Sequence, residues 1–148
     1  MKKTVTWILT ADHQHSRVYS STGPGAGLRP VDEMTMDDHL PVSHEAGSHR
    51  PDQGYASKGG PGHGYEPRTT PHDQAALKFV DRIAAALEAA TREDAFQRLV
   101  VAAPPRALGE LRQRLPESVK GKVVGELDAD LVKEPVEALQ QHVERFLA

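Results

Sequence analysis

The sequence predicts an α/β fold, a mixed β-sheet with helices on its faces. Three observations point there. Short β-branched segments occupy the first 35 residues, a long amphipathic helix opens at residue 71, and short apolar strands then alternate with helical patterns.

The elements follow in order. Residues 4–10 (TVTWILT) are rich in β-branched and aromatic side chains, which suit a pleated, packed surface. Residues 12–14 form a short polar turn, and residues 16–21 (SRVYSS) read as the return strand of a hairpin. TGPGAG, at 22–27, is a turn by composition. Residues 27–35 (GLRPVDEMT) read as a weaker third strand; Pro30 has no N–H to donate, which places this strand at a sheet edge.

From residue 36 to 71 the periodicity disappears. This stretch holds half the glycines and, with His72 just beyond it, five of the eight histidines. A long segment without regular pattern inside a small domain is uncommon. It is expected to be a mobile, irregular Gly/Pro/His-rich loop over about 36–70, between the third strand and the first helix.

Order returns at Thr70, a suitable N-cap, followed by Pro71 at the first helical position and Asp73 three residues after the cap. Ala76, Val80, Ile83, Leu87 and Ala90 recur at helical spacing, and Leu77 and Phe79 widen the stripe. Residues 98–103 (RLVVAA) form a continuous apolar run, as expected of a strand covered on both faces. Pro105 then opens a helix that turns Leu108, Leu111 and Leu115 inward. Residues 116–121 are a turn or helical fragment, and 122–127 (KVVGEL) are another strand. Pro135 opens the last helix, with Val136, Leu139, Val143, Phe146 and Leu147 on one side.

The order is β-β-β-α-β-α-β-α, the chain order of the ribonuclease H-like architecture. Right-handed crossovers place the fourth strand beside the first and predict the sheet order 3-2-1-4-5. The 148 residues fit a single domain, 1–148, with no internal repeat.

Composition narrows the function. A net charge of −3 provides no global basic field, so recognition by charge alone and specific DNA binding are not expected. The absence of cysteine excludes disulfides, thiol catalysis and Cys-based zinc sites. Thr4, Thr6 and Thr10 interrupt the apolar run near the start, Asp12 ends it, and no small-residue cleavage site follows. No segment approaches the ~20 apolar residues of a membrane span. A cytoplasmic protein without a membrane partner is the expectation.

In a sheet of this kind, ligands collect beyond the carboxyl ends of parallel strands. Three segments meet there: residues 12–15, 103–106 (APPR) and 128–131 (DADL). Asp12, Arg106, Asp128 and Asp130 are the candidate cleft residues; equally, Asp12 can shape the hairpin turn while the later acids cap or solvate a loop. A ribonuclease H-type nuclease needs several carboxylates around divalent metals. Residues 98–103 carry no acid, and Asp73, Asp81 and Glu88 on the first helix make an incomplete set.

His39, His44, His49, His63 and His72 lie five, five, fourteen and nine residues apart, without the short fixed separations of a zinc site, and no HExxH occurs. No metal or cofactor is predicted. GGPGHG at 59–64 matches no phosphate fingerprint and does not directly follow a strand; Pro71 removes one amide that the helix start would offer an anion. GxSxG is absent, and Ser43, Ser48 and Ser57 all fall in the irregular region. No catalytic residue is assigned.

The segments WILTADHQHSRVY, YEPRTTPHDQAALKFVDRIAAAL, LVVAAPPRALGELRQRL and VVGELDADLVKEPVEAL resemble the bacterial host attachment protein family, whose members are described as required for attachment to host cells. The similarity runs from about residue 5 to 145 and is weakest between 36 and 62; LVVAAPPRALGELR followed by ELDADL is its most specific part. The matching positions are Asp12, Arg17, Glu66, Arg68, Pro71, His72, Pro104, Pro105, Arg106 and Asp130. The family is related in turn to the middle domain of archaeal and eukaryotic peptide-chain release factors, which has a ribonuclease H-like topology.

Release factors carry a Gly-Gly-Gln tip on a loop before a long helix. Gly59 and Gly60 occupy a comparable place, but Pro61 follows them, so peptide release does not carry over. The resemblance implies a non-enzymatic cytoplasmic protein that binds the ribosome, tRNA or a protein partner through the loop and the end of the first strand, affecting host attachment indirectly. The alternatives are a metal-dependent hydrolase of nucleic acid or phosphoester using Asp12 and Asp130, and a surface adhesion factor.

Overall fold

Strand β1 (Thr6–Ala11) is buried along its whole length, because it lies between two neighbours and under helices on both sides. The computed structural model describes residues 3–38 and 70–148. On one side β1 pairs antiparallel with β2 (His15–Ser21), from Thr6 opposite Ser21 to Ala11 opposite Ser16. On the other it pairs parallel with β5 (Arg98–Ala103), which in turn pairs parallel with β6 (Val123–Asp128).

With β3 at Arg29–Pro30 and β4 at Met36–Asp37, the described residues form a six-stranded mixed sheet in the order β3-β2-β1-β5-β6, the short β4 also pairing with β2. This is the predicted order 3-2-1-4-5, except that the third strand is broken. Residues 27–35 are not one strand. β3 is Arg29–Pro30, a 3₁₀ turn covers Asp32–Met34, and β4 is Met36–Asp37. Pro30 cannot continue a donor ladder, and the turn buries Met34 against the core before β4 rejoins His15 and Ser16. Met36 and Asp37, expected to open the irregular stretch, are instead held in the sheet. The rest of that predicted loop, with Gly59, Gly60, Glu66, Arg68 and the histidines at 39, 44, 49 and 63, lies outside the described residues.

The period of two along β1 and β5 divides the core between the two faces. Trp7, Leu9 and Ala11, with Leu99, Val101 and Ala103, face the long helix α1 (Pro71–Arg92), α2 (Pro105–Arg114) and the single-turn α3 (Glu117–Lys120). Phe79, Ile83 and Leu87 of α1 are fully buried there, and truncating any of them to Ala is expected to cost about 2–5 kcal/mol. Trp7 stacks on Phe96 with ring centroids 4.7 Å apart, worth roughly 0.5–1.5 kcal/mol beyond area burial. Ile8, Val100 and Ala102 face the other way, against α4 (Val136–Val143) and the 3₁₀ turn Glu144–Phe146.

A register shift between Leu99 and Val100 changes which side of β6 faces each layer. Val123 packs against the α1 layer, whereas Gly125 lies under the Phe146 ring, where a Cβ would fall 2.3 Å from Cε1. Only glycine fits there without moving that ring.

Helix α1 starts as its sequence dictates. Thr70 Oγ1 accepts from the Asp73 N–H at 3.0 Å, and Pro71 occupies the first turn. Among the described residues no helix is long and apolar enough to cross a membrane.

Candidate functional site

The carboxyl ends of β1 and β5 bring together the 12–14 turn, the start of α2 and the first turn of α1. Asp12 is the turn former. Its Oδ1 accepts from the backbone N–H groups of Gln14 at 2.8 Å and His15 at 2.6 Å, while its own N–H donates to the His15 carbonyl at 2.9 Å. A carboxylate that accepts from two amides two and three residues on closes the hairpin locally. That turn presents His13 to α2, where His13 Nε2 donates to Glu110 Oε1 at 2.5 Å.

Glu110 lies one helical turn after Arg106, so the two share a face of α2. Arg106 Nε donates to the second Glu110 oxygen at 3.2 Å, and its NH2 reaches Asp73 in α1 at 3.1 Å. His13, Glu110, Arg106 and Asp73 thus form one chain across three elements. Their burial is uneven: the side chains of His13, Glu110 and Asp73 are 20%, 15% and 19% exposed, and that of Arg106 is 57% exposed. The hydrogen bond that Arg106 donates to Asp73, and next the one it donates to Glu110, hold its guanidinium in the charged form beyond the ordinary arginine range. The cluster therefore presents a permanent, oriented cation at the surface.

A second cluster ties β4 to β2. Asp37 is paired with His15 Nδ1 and with Arg17 NH2, both at 2.9 Å, and Arg17 also donates to the Met36 carbonyl at 3.2 Å. The His15 hydrogen bond, followed by that of Arg17, lowers the Asp37 carboxyl below its usual range. Arg17 thus fastens the broken edge of the sheet.

The third candidate segment stands apart. Asp128, the last residue of β6, and Asp130 just beyond it are exposed, and among the described residues neither side chain makes a hydrogen bond or ion pair. The Ala129 N–H donates to the Ala103 carbonyl at 3.0 Å, which keeps this segment beside the end of β5. Arg112 is held charged chiefly by its hydrogen bond to Glu126, with Asp128 adding only attraction through space.

The predicted set therefore divides. Arg106 joins Asp73, Glu110 and His13; Asp12 turns inward to its own backbone; Arg17 joins Asp37; Asp128 and Asp130 remain solvated. His72 sits half-buried in the first turn of α1. Of the acids weighed on α1, Asp81 is bound by Arg114 at 2.7 Å and Glu88 pairs with Arg92 at 3.7 Å. Among the described residues no three His, Asp or Glu side chains are grouped to hold a metal ion. His13 and Glu110 were not singled out from sequence, although the Arg106–Glu110 spacing was a legible helical pair.

Residues 7–143 match the family described as "Protein required for attachment to host cells". The chain belongs to that family. An uncharacterised protein of Rickettsia prowazekii (strain Madrid E) is 27% identical over 143 residues, covering 92% of this chain and 90% of its own length. Among solved structures, an archaeal translation termination factor matches 97% of this chain with a TM-score of 0.52 and 13% identity. A second archaeal protein matches 95% of it with a TM-score of 0.47 and 12% identity. In both cases the chain spans about a third of the longer protein, 36% of its length. This host-attachment-family chain therefore has a release-factor-like domain fold, as the resemblance implied.

Proposed function

We propose that this host attachment family protein is a cytoplasmic binding factor, not a catalyst. It docks on the translation apparatus (ribosome, tRNA or an associated protein) through the surface built by the 12–14 turn, α2 and the start of α1. Its ribonuclease H-like chain order serves as a scaffold, and its effect on attachment is indirect.

The observation that carries this reading is the breadth of the fold likeness. Nearly the whole chain corresponds to one part of an archaeal translation termination factor. The electrostatics support binding over reaction. His13 is engaged by Glu110, and Glu110 and Asp73 by Arg106, which leaves a fixed cation at the surface and, in this cluster, no nucleophile paired with a free base. Glu110 and Asp73 hold Arg106 through Nε and NH2 while its side chain stays 57% exposed, so the remaining N–H groups of an already oriented guanidinium can donate to a partner's acceptor oxygens.

Sedimentation of a lysate through a sucrose gradient at moderate salt tests the reading. The wild-type protein is expected to co-migrate with ribosomal particles, and Arg106→Glu to shift to the top fractions. No co-migration of the wild type would remove the translation link. Mg²⁺- or Mn²⁺-dependent hydrolysis that is lost in Asp12→Asn would replace the binding reading with the hydrolase one. Recovery of the protein on the cell surface would favour adhesion.

A further inference from the structure

At the opposite end of β1 lies a cavity of about 380 Å³. Lys3, Ser20, Ser21, Thr22, Gly27 and Arg29 line it. It is built by the TGPGAG turn folding back over the end of β2. Ser21 Oγ accepts from the Gly23 N–H at 3.1 Å and donates to the Gly23 carbonyl at 3.0 Å, and the Ala26 N–H closes the turn on Gly23. Gly25 and Gly27 have φ of +78° and +82°, a left-handed conformation that glycine adopts without strain. Arg29 lies directly opposite Ser20 in the β2–β3 pair, so their side chains share a face of the sheet.

Among the described residues nothing neutralises the charge on this wall. Eight of the nine described arginines are engaged. Arg17, Arg82, Arg92, Arg106, Arg112 and Arg114 pair with carboxylates, Arg98 caps the carbonyls of Phe146 and Ala148, and Arg145 lies over the Phe146 ring. Arg29 is the remaining one, and Lys3 beside it also has no partner among the described residues. Among the described residues no carboxylate lines the cavity. Glu144 accepts from the Gly25 N–H at 3.2 Å, but neither residue is part of the cavity wall. In a chain of net charge −3, two unpaired cations on one concave surface mark a local anion site.

We propose that this cavity binds the phosphate group of a small organic phosphate. A guanidinium fork, an ammonium and the hydroxyls of Ser20 and Thr22 supply more donors than a two-oxygen carboxylate can use. A tetrahedral phosphate offers enough acceptor oxygens for all of them. The volume falls in the ~300–1,000 Å³ range of small-molecule sites, so an organic moiety is accommodated beside the phosphate. The site is at the other end of the sheet from Arg106 and does not rest on the docking proposal.

Titration of the full chain with inorganic phosphate and with AMP, read by ³¹P NMR and calorimetry, tests it. Saturable AMP binding that inorganic phosphate displaces is expected. Arg29→Gln is expected to weaken it about tenfold, the loss of one charge-assisted bidentate contact. Lys3→Gln weakens it less, and Arg29→Lys retains part of the affinity. Both cations are exposed and have no partner among the described residues, so the variants keep the wild-type melting temperature. Absence of saturable binding at millimolar probe, or unchanged binding in Arg29→Gln, would overturn the proposal. Arg29-dependent binding of a short oligoribonucleotide without any AMP binding would also overturn it, by assigning the cations to a polymer backbone.

Discussion

The two ends of strand β1 treat charge in opposite ways. At its carboxyl end, Asp12, His13, Glu110, Arg106 and Asp73 all have internal partners, and burial of the His13, Glu110 and Asp73 side chains makes those partners structural. At its amino end, Lys3 and Arg29 face a cavity on whose wall the described residues place no carboxylate. A paired, half-buried cluster gains stability from its hydrogen bonds, because each donor would otherwise be desolvated without compensation. An unpaired exposed cation contributes almost nothing to folding and remains available to a ligand. The contrast separates a cation balanced by carboxylates of its own fold from two that have no partner among the described residues.

Substitutions can break this contrast, and the largest effect is expected at Asp12. Asp12→Ala leaves two turn amides without their acceptor and is expected to cost about 2 kcal/mol in urea denaturation. An unchanged midpoint would show that the turn does not depend on the carboxylate. Glu110→Ala strands His13 and releases one side of Arg106. A loss of about 1–2 kcal/mol is expected, read from the same denaturation curves.

Smaller effects sharpen the comparison. Arg106→Gln removes an exposed member of the cluster and should cost under about 1 kcal/mol, while Arg29→Gln should stay within about 0.5 kcal/mol of wild type. A greater loss at Arg29 than at Arg106 would reverse the assignment of the two ends. The smallest effect is the pH dependence of Asp37. Its folded pKa lies below the ordinary 3.8, so its contribution is complete above that value and is lost as pH falls through the lower folded value. Acid titration of stability should therefore show a shallower acid limb in Asp37→Asn than in wild type. Identical limbs would mean that the His15 and Arg17 contacts do not persist in solution.

Most of the architecture was legible because its signals are local. The helical spacing of Ala76, Val80, Ile83 and Leu87, the Thr70–Pro71 start and the apolar run at 98–103 each specify one element, and right-handed crossovers then order the strands. The third strand was not legible as broken. Pro30 signalled an edge, but the burial of Met34 and the pairing of Asp37 with His15 and Arg17 depend on neighbours distant in sequence. The candidate site was legible only in part. Arg106 was identifiable from its place after a parallel strand, whereas His13 and Glu110 are 97 residues apart and meet only when α2 packs beside the hairpin.

The sequence by itself determined the α/β class, the strand order and the secure helix start, since propensity, period and capping act over a few residues. It also made Asp12 a turn candidate. Tertiary structure alone decided which charges are neutralised. Coulombic and hydrogen-bonding energies fall off over a few ångströms, and those distances are set by packing between elements. Thus Arg106 and Arg29, alike as arginines in the sequence, become a cation tied to two carboxylates and one with no partner among the described residues.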